Sequence, residues 1–150
     1  LAVSLQGVQG NKIANIFRRY IDNMEGGNNC QIDALDRWVS EDDPGSGLVV
    51  RANRSATGMN GTTSTWHIED GSYLRIKNIT LGYTLPKDWL SNVGINHLRV
   101  YLSTQNPFTF TKYSGYNPEV NMKGNSLTPG IDYGTYPLAK SFVFGLNVTF

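Results

Sequence analysis

Cysteine is nearly missing from this sequence: Cys30 stands alone among 150 residues. A lone thiol closes no internal disulfide and supplies no cysteine-based zinc site. Charge is also sparse, with charged residues at 17% and a net charge of +1, where a typical soluble domain carries about a quarter charged residues. Such a chain lacks the clustered basic surface that captures nucleic acid, and no nucleic-acid partner is expected. No apolar run approaches the roughly 18 residues of a membrane-crossing helix. Membrane-crossing strands stay open, because their signal is alternation rather than a continuous run. Neither an initiator methionine nor a signal sequence precedes Leu1. The chain is therefore expected to be a fragment that begins after any targeting signal.

What the chain does have is glycine, at 16 residues, and aromatics, at 11%, which suits strands and turns. The clearest pattern is SFVFGLNVTF, Ser141 to Phe150. Phe142, Phe144, Leu146, Val148 and Phe150 form one apolar row, and Ser141, Val143, Gly145, Asn147 and Thr149 form the other, small or polar except for Val143. Successive strand side chains point to opposite faces, so the spacing predicts a strand with one apolar and one wet face. Its length matches the roughly 9–11 residues of a tilted strand across a bilayer. The stretch reads as the closing strand of an outer-membrane barrel.

Taken in order, Leu1 to Gln9 alternates as a strand. From Asn11 the period changes: Ile13, Ile16, Phe17, Tyr20, Ile21 and Met24 fall at helical spacing, with Asn11 as N-cap and Gly26-Gly27 as the stop. A shorter helix is expected over Ile32 to Val39, and a long polar loop from Ser40 to Thr65. Tyr73 to Leu85 is the next strand, with Ile79, Leu81, Tyr83 and Leu85 opposite Asn78, Thr80, Gly82 and Thr84. Leu74 and Ile76 carry the opposite phase, so a bulge is expected near Lys77-Asn78. Pro86 ends this strand, and a helical turn is expected at Asp88-Trp89-Leu90. His97 to Lys112 sets Leu98, Val100, Leu102, Thr104, Asn106, Phe108 and Phe110 against His97, Arg99, Tyr101, Ser103, Gln105, Pro107, Thr109 and Thr111. Pro107 has no N–H for a ladder, so a second bulge or an unpaired rim is expected there. Tyr113 to Lys140, rich in Gly and Pro, reads as a second long loop.

Strands at about 1–9, 73–85, 97–112 and 141–150 thus alternate with long connections, 10–72 and 113–140, and one short one, 86–96. Outer-membrane barrels combine short periplasmic turns with long extracellular loops. The expected fold is all-β: an antiparallel transmembrane barrel, of which these are the last four or so strands, with short helices in the extracellular loops. Ile79, Leu81, Tyr83, Leu85, Leu98, Val100, Leu102, Phe108, Phe110, Phe142, Phe144, Leu146 and Val148 would face lipid. Asn78, Thr80, Arg99, Tyr101, Gln105 and Asn147 would face the lumen or whatever fills it. Since the smallest barrels need about eight strands, the rest must come from elsewhere.

Several segments also carry a resemblance. DGSYLRIKNITLGYTLP (Asp70 to Pro86), LRVYLSTQNPFTFTKYSGYNPEV (Leu98 to Val120), PGIDYGTYP (Pro129 to Pro137) and FVFGLNVTF (Phe142 to Phe150) closely resemble the C-terminal barrel region of the SusC/RagA family of TonB-linked outer-membrane proteins of Bacteroidota. GNKIANIFRRYID (Gly10 to Asp22) and LDRW (Leu35 to Trp38) resemble the loop preceding that region. The resemblance implies a plugged barrel, of the class with about 22 strands, in the cell outer membrane. It implies a SusD-like surface lipoprotein as lid, energy from TonB through an N-terminal part outside this chain, and import of oligosaccharides or peptides. Phe150 resembles the terminal aromatic read by the barrel-assembly machinery. Trp38, Tyr113, Tyr116, Tyr133 and Tyr136 are the candidate contacts to substrate or lid, with loop packing as the alternative.

No catalytic constellation emerges. Cys30 with His67 or His97 has no supporting motif, and Glu41-Asp42-Asp43 lacks a calcium-loop spacing. No enzyme activity, cofactor or metal is expected. Asn53, Asn60, Asn78 and Asn147 head N-x-Ser/Thr triplets, which fit chance. The competing reading is a soluble β-sandwich carbohydrate-binding module, which would need turn signals every 8–12 residues or so.

Overall fold

The computed structural model describes residues 1–25, 27, 29–54, 62, 64–90, 94–121 and 127–150. Gly26, Asn60 and Gly124 lie outside them. In chain order the elements are β1 (Ala2–Val8), β2 (Lys12–Asn15), α1 (Ile16–Ile21), β3 (Ile68–Asp70), β4 (Tyr73–Thr84), α2 (Lys87–Leu90), β5 (His97–Thr111), β6 (Ile131–Asp132) and β7 (Ser141–Thr149), with single 3-10 turns at Ile32–Asp36 and Thr65–His67. They divide into one unit of Leu1–Gly10, Ser72–Lys112 and Pro137–Phe150 and another of Asn11–Gly71 and Tyr113–Tyr136.

The first unit is a four-stranded antiparallel sheet in the order β1-β4-β5-β7. Residues directly opposite one another share a face, so the register sorts every side chain. One face carries the rows Val3–Ile79–Thr104–Phe142, Leu81–Leu102–Phe144, Tyr83–Val100–Leu146 and Leu5–Ile76–Phe108. The other carries Ser4–Asn78–Gln105–Ser141, Gly82–Tyr101–Gly145 and Thr84–Arg99–Asn147. The apolar face is open: Phe142 is 73% and Phe144 66% exposed. Burying a large apolar side chain is worth about 1.5–3 kcal/mol, so this face is unsatisfied in water. A continuous meander of strands up to 15 residues long departs from the short, Greek-key-connected strands of a sandwich.

Two irregularities keep that face apolar along its length. Ser4 and Leu5 of β1 pair with Asn78 and Ile76, so Lys77 is an extra residue. Ile76 and Asn78 in turn pair with Phe108 and Gln105, so Asn106 and Pro107 stand against Lys77 alone. Without the Lys77 insertion Arg75 would swing to the apolar side, because a one-residue slip reverses every facing. Asn106 takes φ 48°, a left-handed conformation that asparagine tolerates better than most residues. Pro107 has no N–H to withhold from the ladder.

Glycine shapes the polar face at two points. A methyl at Gly82 would meet the Arg99 guanidinium at 3.0 Å, and one at Gly145 would collide with the Tyr101 ring. Each glycine leaves room for a β5 side chain, Arg99 beside Gly82 and Tyr101 beside Gly145. Gly145→Val is therefore expected to lift Tyr101 away and destabilise the parent barrel by about 1–3 kcal/mol, the range for overpacking. The check is the temperature at which the heat-modifiable band of the purified parent is lost in gel electrophoresis.

The second unit corrects three expectations. Helical periodicity from Asn11 predicts one helix reaching Met24, but Lys12–Asn15 is strand, antiparallel to β3 and parallel to β6. Ile13 is fully buried in that sheet, beside Tyr113 and Val120, so tertiary burial overrides the local period. The helix spans only Ile16–Ile21, and its cap is Asn15, whose side chain accepts from the Arg18 N–H. The expected helix over Ile32 to Val39 is a 3-10 turn that ends at Asp36. Arg37 instead bridges to Val49, and the Trp38 N–H donates to the Val49 carbonyl. The stretch from Tyr113 to Lys140, expected to be loop throughout, contributes β6.

Candidate functional site

The polar face of the sheet is a hydrogen-bonded surface. Asn78 Nδ2 donates to Ser103 Oγ at 3.2 Å, and Thr80 Oγ1 donates to Asn78 Oδ1 at 2.8 Å. Further along, Gln6 Nε2 donates to the Tyr73 hydroxyl at 2.9 Å, and Arg75 Nε donates to Thr109 Oγ1 at 3.0 Å. The Arg75 guanidinium lies 5.4 Å from the Tyr73 ring centroid. Arg75 is buried although it sits in a single sheet. Its charge is shielded by its own strand neighbours, which sequence reading missed because its facing depends on where the phase slips. Asn78, Thr80, Arg99, Tyr101, Gln105 and Asn147 all lie on this face by register.

In the second unit two carboxylates tie distant segments together. Glu69 on β3 accepts from Asn15 Nδ2 at 3.0 Å, Ser114 Oγ at 2.8 Å and the Ser114 N–H at 2.9 Å, with Arg18 at 3.7 Å. Asp132 on β6 accepts from the Tyr113 hydroxyl at 2.5 Å and from the Gly134 and Thr135 N–H groups at 2.8 and 2.7 Å. Burial by itself raises both carboxyl pKa values. Hydrogen bonds from Ser114 and Asn15 and the Arg18 charge outweigh it at Glu69, and those from Tyr113, Thr135 and Gly134 outweigh it at Asp132, so both end lowered. The Tyr113 hydroxyl is pushed up by burial, by its bond to Asp132 and by the nearby negative charges. No local motif announces this network, because Asn15 and Glu69 are 54 positions apart and Glu69 and Ser114 are 45 apart.

The sign of the pH dependence follows. A carboxylate whose pKa falls on folding contributes stability above its unfolded value, and that stability is lost as pH drops through the folded value. With ordinary values of 4.5 for Glu69 and 3.8 for Asp132, each contribution is present above its value. It is lost progressively as the pH falls below that value and through the lowered folded one. Hydrogen-exchange protection at Ser114, Gly134 and Thr135 in the detergent-purified parent, corrected for intrinsic rates, is expected to collapse in that acid window and hold above it.

The same unit contains a cavity of about 240 Å³. Met24 and His67 are its buried members, while Leu48, Val50 and Trp66 are its exposed apolar ones. Arg18 lines it too, its guanidinium 4.7 Å from the Trp66 ring centroid and its Nε bonded to Asp22 at 2.8 Å. His67 Nδ1 accepts the Ser64 N–H at 3.2 Å, which places the hydrogen of the neutral ring on Nε2.

The aromatic candidates separate. Tyr113 is in the core with its hydroxyl on Asp132, so it offers no face to an outside ligand and is corrected to a structural role. Tyr116 and Tyr136 are strongly exposed and Tyr133 less so. Trp38 is half-buried, with Arg51 at 5.7 Å from its ring centroid. Leu81, Tyr83, Leu102, Phe108, Phe110, Phe142, Phe144, Leu146 and Val148 are exposed on the apolar face, where Ile79, Leu98 and Val100 are half-buried. Leu85 follows β4, its N–H donating to the Leu98 carbonyl, and Phe150 follows β7, fully open. Among the described residues no group of His, Cys, Asp and Glu side chains is placed to hold a metal ion. No helix among them is long and apolar enough to cross a membrane.

No family model matches the chain. A TonB-dependent receptor of Formosa agariphila is 30% identical over 149 residues, 97% of this chain and 15% of that protein. TonB-dependent receptor SusC of Bacteroides thetaiotaomicron is 38% identical over 104 residues, 66% of this chain and 10% of SusC. Among solved structures, the RagAB peptide transporter matches with a TM-score of 0.76 at 26% identity, over 99% of this chain and 15% of that one. The RagAB peptide importer in its open-open state matches with a TM-score of 0.77 at 27% identity, over the same shares. The chain spans about a tenth to a seventh of the length of these relatives.

Proposed function

We propose that this chain, a segment homologous to SusC/RagA-type TonB-dependent receptors, forms the last strands of a plugged outer-membrane barrel that imports oligosaccharides or peptides. The observation that carries this reading is the one-sided sheet. Its apolar rows suit hydrocarbon, and its hydrogen-bonded rows suit a polar lumen and plug. Only closed barrels satisfy strand backbones in a membrane, so the open edges of β1 and β7 call for further strands of the parent. The side chains from Ile79 to Leu85 and from Phe142 to Val148 that share the apolar face meet lipid. Asn78, Thr80, Arg99, Tyr101, Gln105 and Asn147 meet the plug. RagAB is a peptide transporter, and by analogy a SusD-like lipoprotein covers the mouth, contacted by Trp38, Tyr116, Tyr133 and Tyr136. The role is transport, not catalysis.

The test uses the full-length parent in its native membrane. Extraction with the outer-membrane fraction, a heat-modifiable band and ligand uptake that stops when TonB is deleted are the expected results. A parent found in the soluble fraction, or uptake indifferent to TonB, would overturn the reading.

A further inference from the structure

We infer that the cavity of the second unit is a subsite for one apolar side chain of a peptide, together with the carbonyl beside it. This rests on the transporter reading and narrows its substrate class. The cavity measures about 240 Å³, below the roughly 300–1,000 Å³ that holds a whole small ligand. An apolar cavity of about 150 Å³ accepts benzene, so a side chain of leucine, methionine or phenylalanine size fits with a neighbouring peptide group. Met24, Leu48 and Val50 supply apolar wall, and Trp66 an aromatic one.

Six lining residues are polar, Arg18, Asp22, Gln31, Asp33, Ser64 and His67, and Arg18 and Asp22 are already paired with each other. Arg18 is held by Asp22, stacks on Trp66 and leans toward Glu69, so it is no free anion receptor. Asp22 and Asp33 in the same lining disfavour a ligand carboxylate. His67 differs. It is 5% exposed, its Nδ1 is taken by Ser64, and among the described residues its Nε2–H has no partner. That leaves Nε2–H as the ring donor able to meet a ligand, and one neutral carbonyl oxygen pairs with it.

The experiment measures binding of two fluorescent peptides to the purified full-length receptor. The peptides are identical except for one central leucine replaced by serine. The wild type is expected to prefer the leucine peptide by at least about tenfold, in line with what apolar pockets discriminate. Leu48→Ser, which opens the wall, and Val50→Trp, which fills the space, are both at exposed positions and should leave the heat-modifiable band intact. Both should bring the preference close to one, and His67→Leu should weaken the leucine peptide alone. No preference in the wild type, or one that survives in both rim variants, would overturn the subsite. Those results would leave TonB-dependent uptake untouched and so separate this inference from the transporter reading. A parent absent from the outer membrane would remove both.

Discussion

Removing Ser141–Phe150 from the full-length receptor is expected to abolish barrel assembly, leaving no heat-modifiable band and no surface-exposed receptor. β7 pairs with β5 from His97↔Thr149 to Gln105↔Ser141. Without it, that length of β5 loses its partner along one edge, and each unsatisfied backbone group in hydrocarbon costs several kcal/mol. No local rearrangement recovers such a loss, so the outcome should be complete absence and degradation rather than reduced yield. Phe150→Ala separates packing from recognition. Phe150 lies beyond the last paired residue, so its loss removes no ladder bond. Slower appearance of a stable barrel in that variant would assign the aromatic to assembly. Unchanged kinetics would reduce it to an ordinary anchor. A normal heat-modifiable receptor from the ten-residue deletion would contradict the closing role proposed for β7.

The second large effect is expected at Asp132. Asp132→Ala deprives the Tyr113 hydroxyl and the Gly134 and Thr135 N–H groups of their acceptor. Hydrogen bonds to a charged group contribute about 1.5–3 kcal/mol, and a buried donor left unmade adds its own desolvation cost. A loss of about 3–5 kcal/mol for the second unit follows, since the three bonds share one carboxylate and do not add fully. Tyr113→Phe should cost only about 1 kcal/mol, because the two backbone donors remain on Asp132. Limited proteolysis of the detergent-purified parent reads both: rapid cleavage within residues 113–136 for Asp132→Ala, near-normal resistance for Tyr113→Phe. Equal sensitivity in the two variants would mean that the tyrosine, not the carboxylate, holds the unit together.

How much of this was legible in the sequence depended on whether the controlling contact was local. The long strands showed in advance because alternation is a period-two signal that each strand carries by itself. The phase slip at Lys77 and the proline at position 107 marked both bulges. β2 was hidden, because Ile13, Ile16, Phe17 and Tyr20 also satisfy a helical period, and only the distant partners Glu69 and Ile131 decide otherwise. Among the aromatics, Tyr113 and Tyr116 look alike in sequence. One is buried against Asp132 and the other is exposed, a difference set by β6. Glu69 carried no local mark of its later partners.

The staggered insertions in the sheet also set rules for how such a chain can change length. β1 has no extra residue at that level, β4 has Lys77 beyond it, and β5 has one more than β4. Losing Lys77 alone would reverse everything from Ile76 to Tyr73, aiming Arg75 at the apolar side and Leu74 at the polar one. Losing Asn106 and Pro107 together would keep the parity of Phe108 and Phe110. Relatives of this chain should therefore vary in length at the bulge level of β5 by even steps, while the single residue in β4 stays fixed in number and free in identity.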